Sequence, residues 1–410
     1  MSTAVPQSLR MTEAAETELV ETYQHLHANP ELSMQEHRTA DYLAQRLETL
    51  GLEVFRCGGT GVVGILRNGE GPVVGLRADT DGLPVLEDTG LDYASTATGA
   101  LDDGTEVPVM HACGHDTHMA TALKTAELYA GAPDAWAGTI VFVLQPGEET
   151  AAGAKAMVED GLWDQAPKPE IMFGQHVMGG LAGTVTLMPG AAMTTADSFK
   201  VTVRGQGSHG SMPEHSIDPI VLAASMVVRL QTIVSRQVAP QSAAVVTIGS
   251  FHAGLKENVI PDRAVFTLNV RTFDPQVRET VLTSIRRIIA GEASASGAPE
   301  PVIEDISHFP PLYNDPAAAG ALAAEFRDEL GGDQVIAGTP VMGSEDFGAL
   351  ADAIGVPSVF WFFGGFPAER LAEGPAPANH SPFFGPVPQP TLTTGVRAAT
   401  RALFSKVGKK

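Results

Sequence analysis

The stretch MHACGHDTHMA, residues 110–120, sets Cys113 and His115 two residues apart on a glycine-containing turn that leads into a helix, with Asp116 and His118 close behind. Thiolate and imidazole together suit a borderline-soft divalent ion such as zinc, and Asp116 is placed to orient a metal-bound imidazole through its second ring nitrogen. A buried cysteine beside a helix cap has the same local pattern, because an unoxidised cysteine is usually a small core residue. A second group lies in QPGEET, residues 145–150, after a strongly apolar strand. Glu148 and Glu149 emerge there together, and adjacent carboxylates repel unless a cation or a proton stabilises them. Such a pair divides into two roles: one carboxylate binds metal, while its neighbour takes a proton from water and later delivers it to a leaving amine. The competing reading is a solvated acidic pair at a helix N-terminus. His176 in FGQHVMGG and His380 in NHSPFF are each unremarkable alone, since a strand-end histidine is most often hydrogen-bonded structure. Joined with Cys113, His115 and Glu149, they make five candidate ligands.

These residues need elements to hold them. Apolar residues at helical spacing from about Met11 to Leu50, stopped by Gly51, predict two opening helices. Short apolar runs at 61–66 and 72–79 predict strands, followed by a helix from about His115 to Ala130, a strand at 139–145, a helix over 151–160 and a buried strand at 170–177. That alternation is α/β, a fold class that places its chemistry at strand ends. From about Gly190 the order becomes strand, helix (Ile217 to Ser235), two strands, helix (Pro275 to Ala290), strand (Val302 to Ile306), which is a βαββαβ, ferredoxin-like unit. It is long enough to be a domain of its own, inserted between two α/β stretches. The expected organisation is therefore a catalytic domain over 1–189 and 308–410, with a mixed sheet flanked by helices, and an inserted α+β domain over 190–307. The second α/β stretch carries a helix at 316–330, a strand at 356–363, a Pro-rich loop at 374–390 and a last helix over 391–405.

Bulk composition bounds the rest. With 44% hydrophobic and 18% charged residues, 410 residues suffice for a packed core. The 26 basic against 48 acidic residues leave a formal charge of −22, which repels phosphate backbones and anionic lipid, so neither nucleic acid nor membrane is an expected partner. No run approaches 18 apolar residues, and the N-terminal MSTAVPQSLRMTEAAETELVETY has no apolar h-region, so the expected location is the cytoplasm. Two cysteines make no disulfide framework and fit a reducing compartment; Cys57 reads as structural.

In order along nearly the whole chain, HANPELSMQEHRTADYL, GLRADTDGLPV, MHACGHD, QPGEET with GAKAMVEDGL, GQHV, GSHGSMPEHSIDPI, ENVIPD with NVRTF, MGSEDFG and NHSPFF resemble the metal-dependent aminoacylase and carboxypeptidase family. The similar branch contains hippurate hydrolase, indole-acetyl-amino-acid hydrolases and bacterial N-acyl-amino-acid amidohydrolases. The resemblance implies a dinuclear centre of two divalent ions, zinc first and manganese, nickel or cobalt as alternatives, held by Cys113, His115, Glu149, His176 and His380. It implies Glu148 as general acid/base and Asp81 as a carboxylate behind a ligand. It also implies His209 as the oxyanion-stabilising histidine, which in related enzymes often reaches across a dimer, and Asn258, Arg271 and Ser344 as substrate contacts. The inserted domain would then be a lid and dimerisation domain, and the protein a homodimer or dimer-based oligomer.

The reaction so implied is hydrolysis of an N-acyl-L-amino acid, hippurate-like or acyl-glutamine-like, by a metal-activated water. A dipeptidase or carboxypeptidase using the same chemistry is the alternative, and a metal-binding but inactive sensor or scaffold is a third reading. The last is disfavoured because such a protein is free to lose Glu148. One departure from the pattern stands out: Glu214 occupies the position after Pro213 where this branch commonly has histidine, with His215 displaced by one.

Overall fold

The computed structural model describes residues 4–409. The chain divides into two compact units, one of Met1–Ala192, Leu312–Pro340 and Asp346–Lys410, the other of Met193–Pro311 and Val341–Glu345. Five residues late in the sequence, Val341–Glu345, thus group with the inserted stretch.

The first unit is built on a mixed eight-stranded sheet in the order Glu53–Cys57, Gly61–Asn68, Gly138–Gln145, Val73–Asp79, Met172–Leu181, Ser358–Phe366, Val185–Leu187, Val335–Ala337. Its middle is parallel: Val73–Asp79 runs with Gly138–Gln145 and with Met172–Leu181, which in turn runs with Ser358–Phe366. Parallel strands are covered on both faces and so need continuous apolar sequence rather than alternation. GTIVFVLQ and SVFWFFGGF meet that demand and are buried at every position. Helices flank the sheet, with Glu13–His27, His115–Gly131 and Pro388–Val407 packed on one another. Trp136, Trp361, Phe142 and Phe173 fill the core between layers. Three strands, Glu53–Cys57 and Val335–Ala337 at the two sheet edges and Val185–Leu187 next to the second, escape the sequence reading because short or half-exposed segments carry little periodicity. The helix expected over 151–160 begins only at Gly153, because Ala151 takes the left-handed conformation (φ 57°) and closes the turn that follows Glu149.

The second unit is the βαββαβ arrangement. Its sheet has the order Ala244–Ala253, Arg263–Thr272, Thr195–Arg204, Val302–Phe309, antiparallel throughout. Arg263–Thr272 alternates buried with half-buried positions, as a strand with one face on a core does. Asp218 and Asp274 open helices Pro219–Leu230 and Pro275–Ala295 in the same way: each is an N-cap before a proline, and each carboxylate accepts from two backbone N–H groups of the first turn. One expectation needs correcting here, since Pro219–Arg236 does have the length and composition of a membrane-crossing helix. It is divided at Gln231, however, and its Leu222, Met226, Leu230 and Ile233 are core residues of this unit.

Candidate metal centre

Three parallel strands deliver the first unit's polar residues to one end of the sheet: Val73–Asp79 leads to Asp81, Gly138–Gln145 to Glu148 and Glu149, and Met172–Leu181 carries His176. Helix His115–Gly131 adds Cys113 and His115 at its N-terminus. Its N-cap is Gly114, at φ 85°, where a Cβ would lie 2.3 Å from Val177 Cγ1. Only glycine satisfies both the left-handed turn and that close approach, which brings Cys113 against the strand of His176. Cys113 Sγ lies 3.4 Å from His176 Nε2.

The two buried imidazoles are oriented alike. His115 Nδ1 donates to the Asp81 carbonyl at 2.9 Å, with Asp81 Oδ1 at 3.2 Å, and His176 Nδ1 donates to the Val177 carbonyl at 2.7 Å. Both therefore turn Nε2 toward the cluster, the ring orientation of a metal-ligating histidine. Asp81 also accepts from Ser33 Oγ at 2.6 Å and from Glu149 N at 3.0 Å, so one buried carboxylate fixes both a histidine and the glutamate turn. Glu149 Oε1 stands 3.9 Å from His115 Nε2, Glu149 Oε2 3.3 Å from His380 Nε2, and Glu148 Oε2 4.0 Å from His115 Nε2. His380 sits at φ 70° in the Pro-rich loop, and its N–H donates to the Ala112 carbonyl. Neighbouring Asn379 donates through Nδ2 to the carbonyls of Cys113 (3.1 Å) and Val177 (3.2 Å), tying that loop to both the cysteine turn and the histidine strand.

Electrostatics favour a cation. Asp79, Asp81, Glu148 and Glu149 gather here, and the neighbouring Arg77 guanidinium pairs with Asp79 at 2.6 Å and Asp346 at 3.3 Å. Burial, reinforced by Glu149 and Glu148, pushes the Cys113 thiol well above its usual range. Burial holds His176 neutral, well below its usual value. His115 is driven up to about 10: burial opposes its charged form, but Asp79 and Asp81 prevail. Cys113 Sγ, a His115 nitrogen and a Glu149 oxygen all lie within 4.8 Å of one another, and His115 Nε2 and Glu149 Oε1 are buried without hydrogen-bond partners. Buried polar atoms are ordinarily satisfied. A soft sulfur, imidazole nitrogens and a carboxylate left open toward one another are the donor set of a divalent cation, so the residues fit the two-ion centre implied above.

A neighbouring group, Asp79, His115, His118 and His176, has ligand-type residues but a different character. His118 Nδ1 donates to Asp79 Oδ1 at 2.5 Å, and its Nε2 accepts from Val177 N at 2.8 Å, so both nitrogens are engaged. Burial raises the Asp79 carboxyl in principle, yet Arg77 and His115 hold it well below the usual carboxylate range. Asp79 and His118 thus form a supporting network behind His115 and His176 rather than open ligands. Asp116 also departs from expectation. It pairs with His27 (Nδ1 to Oδ2, 2.6 Å), whose Nε2 meets Glu87 at 2.9 Å, and so orients no ligand; Asp81 has that position.

Four further expected site residues belong to the second unit. His209 pairs with Val259 in a two-residue ladder, and its Nδ1 accepts from Ser211 N at 3.1 Å, leaving the proton on an exposed Nε2. Asn258 lies beside it, its carbonyl accepting from Gly210 N at 2.8 Å. Arg271 is half-buried, with Nε on Asn269 Oδ1 (3.0 Å) and one terminal nitrogen on the Met342 carbonyl (2.6 Å), in the segment that also holds the half-buried Ser344. Glu214 and His215 are exposed neighbours, with 3.8 Å between Glu214 Oε1 and His215 Nε2.

Residues 75–404 match the sequence pattern of Peptidase family M20/M25/M40. The hippurate hydrolase of Campylobacter jejuni is 40% identical over 332 residues, covering 80% of this chain and 83% of its own. The N-acyl-L-amino acid amidohydrolase of Geobacillus stearothermophilus is 36% identical over 310 residues, covering 75% and 80%. Among solved structures, the Bacillus subtilis YXEP protein, described as a dinuclear metal binding peptidase from the M20 family, superposes with a TM-score of 0.76 at 30% identity, over 95% of this chain and 98% of that one. A buried cluster open for divalent cations, set at the strand ends of this fold, agrees with those matches, and the chain belongs to peptidase family M20/M25/M40 as one of its hydrolases.

Proposed function

We propose that the protein hydrolyses N-acyl-L-amino acids of the hippurate or acyl-glutamine kind to a carboxylic acid and a free amino acid. Two divalent ions, zinc ahead of manganese, nickel or cobalt, are held by Cys113, His115, Glu149, His176 and His380. The observation that carries this reading is the pair of buried, unpartnered atoms His115 Nε2 and Glu149 Oε1, with the Glu148 carboxylate 4.0 Å from the former. Divalent ions in such a centre supply Lewis acidity and bring the pKa of water down toward about 7. The chain supplies the proton traffic. Glu148, only 4% exposed, is placed on a tight turn to accept a proton from the attacking water and return it to the departing amine. His209, its tautomer fixed by Ser211, offers Nε2–H as a donor for a developing oxyanion. Arg271, braced by Asn269 and Met342, with Asn258 and Ser344, is the proposed holder of the substrate carboxylate.

A homodimer formed through the second unit fits its surface. Ala244–Ala253 is an edge strand with Val245 and Phe251 exposed, and helix Pro219–Leu230 leaves Ile220, Val221 and Val228 uncovered. The second reading, a dipeptidase or carboxypeptidase, is kept because the similar YXEP protein is described as a peptidase. The two differ in whether the pocket receives a blocked or a charged amine. On the metal-loaded enzyme, kcat/KM for hippurate and N-acetyl-glutamine is expected to exceed that for an unblocked dipeptide by at least about 10-fold, the effect of an ammonium left without a partner. Faster dipeptide hydrolysis would reverse the assignment.

A further inference from the structure

Glu36 is the least expected carboxylate in the first unit. It stands at the N-cap of helix His37–Thr49, where an acidic side chain ordinarily caps the first turn, yet it makes no capping bond. Its side chain turns inward and is fully buried. Oε1 accepts from Gly147 N at 2.8 Å and from Met34 N at 2.9 Å, and Oε2 accepts from Thr60 Oγ1 at 2.5 Å. A carboxylate satisfied only by neutral donors is an expensive way to fill a core position, and its location explains why it is kept.

Gly147 is the residue directly before Glu148 and Glu149. It takes φ 55°, and a Cβ there would meet Met34 Sδ at 2.5 Å, so Met34 lies flush on the turn. Met34 is itself in the left-handed region at φ 62°, rare for a residue with an unbranched side chain, and that bend turns its N–H to the same Glu36 oxygen. One residue earlier, Ser33 donates to Asp81 Oδ2, the oxygen that also receives Glu149 N. The segment 33–36 therefore braces the glutamate turn from both sides: Glu36 at its start through Gly147, and Ser33 at its end through Asp81.

We propose that Glu36 is a positioning residue, which acts through the Gly147 N–H to hold Glu148 in its proton-transfer geometry. This rests on the role given to Glu148 above. Displacement of a general base by about 1 Å can cost about 100-fold in rate without a comparable loss of binding.

The experiment compares four variants of the full-length, metal-saturated enzyme on hippurate, with kcat and KM normalised to folded protein. Glu36→Ala is expected to lower kcat about 10- to 100-fold, with KM within about 3-fold. Glu36→Gln, whose amide oxygen still accepts from Gly147 and Met34, should restore kcat to within about 3-fold of wild type. Thr60→Val removes the bond to Oε2 but not the tie to Gly147, and should also keep kcat within about 3-fold even where it lowers Tm. Glu148→Gln reports on the underlying reading. If Glu148→Gln is inactive while Glu36→Ala keeps wild-type kcat, or if Thr60→Val loses kcat as far as Glu36→Ala does, the positioning role is wrong and the residue merely stabilises the fold. If Glu148→Gln is fully active, the reading of Glu148 fails first.

Discussion

Glu148→Gln is expected to lower kcat by about 10²–10⁴-fold, the usual contribution of a positioned general base, with bound metal unchanged. The substitution conserves shape and hydrogen-bonding capacity but removes the ability to carry a proton. The residue is 4% exposed and its Oε2 approaches His115 Nε2 to 4.0 Å, so no bulk water is at hand to substitute for it. Glu149, next in sequence, cannot take over, because its two oxygens face His115 and His380 and its backbone N–H is held by Asp81. The measurement is kcat and KM on hippurate together with metal content by atomic emission. Loss of kcat with metal retained separates proton transfer from ligation; full activity would remove Glu148 from the mechanism.

The second large effect belongs to Cys113→Ala. The thiol sits between His176, 3.4 Å from its sulfur, and the His115–Glu149 pair, so its removal takes a donor from the middle of the cluster. The packing loss is small, since a buried sulfur replaced by a methyl hydrogen leaves a cavity worth about 1 kcal/mol. Fold and ligation should therefore part company. The variant is expected to unfold at nearly the temperature of the metal-free wild type, to gain much less stability than wild type on addition of zinc, and to lose hydrolysis by about 10³-fold or more. Thermal unfolding with and without zinc checks this. A variant that binds metal and turns over like wild type would return Cys113 to the status of a small core residue.

How far the centre could be read from the sequence follows from what each residue depends on. Cys113, His115, Glu148 and Glu149 lie in short segments whose local pattern already carries chemistry. His176 and His380 gain meaning only by joining them, which is a property of strand order: Met172–Leu181 must run beside Val73–Asp79 before His176 can face Cys113. Asp116 misled because sequence neighbours on a helix diverge by about 100°; directly after His115, it points instead to His27. Asp81, 34 positions away, reaches the ring that Asp116 cannot.

The supporting charges were harder still. Arg77 and Asp79 inside the apolar strand VVGLRAD signal buried partners, since charges are seldom buried unpaired. The further partners of Arg77, Gln145 and Asp346, however, lie up to 269 positions away and are fixed only by tertiary packing. Glu36 was invisible for a different reason: an acidic residue before a helix looks like a cap, and nothing local tells that its carboxylate goes elsewhere. The βαββαβ order of the second unit was legible because its strands alternate and its helices start at Asp-Pro pairs.

The most direct test of the account is to strip the protein with a chelator, confirm by emission spectroscopy that it is metal-free, and titrate zinc or manganese back while following hippurate hydrolysis. The account predicts that the stripped protein is folded and inactive, and that activity returns as up to about two ions bind per chain, the stoichiometry of a dinuclear centre. Undiminished hydrolysis by the verified metal-free protein would contradict it.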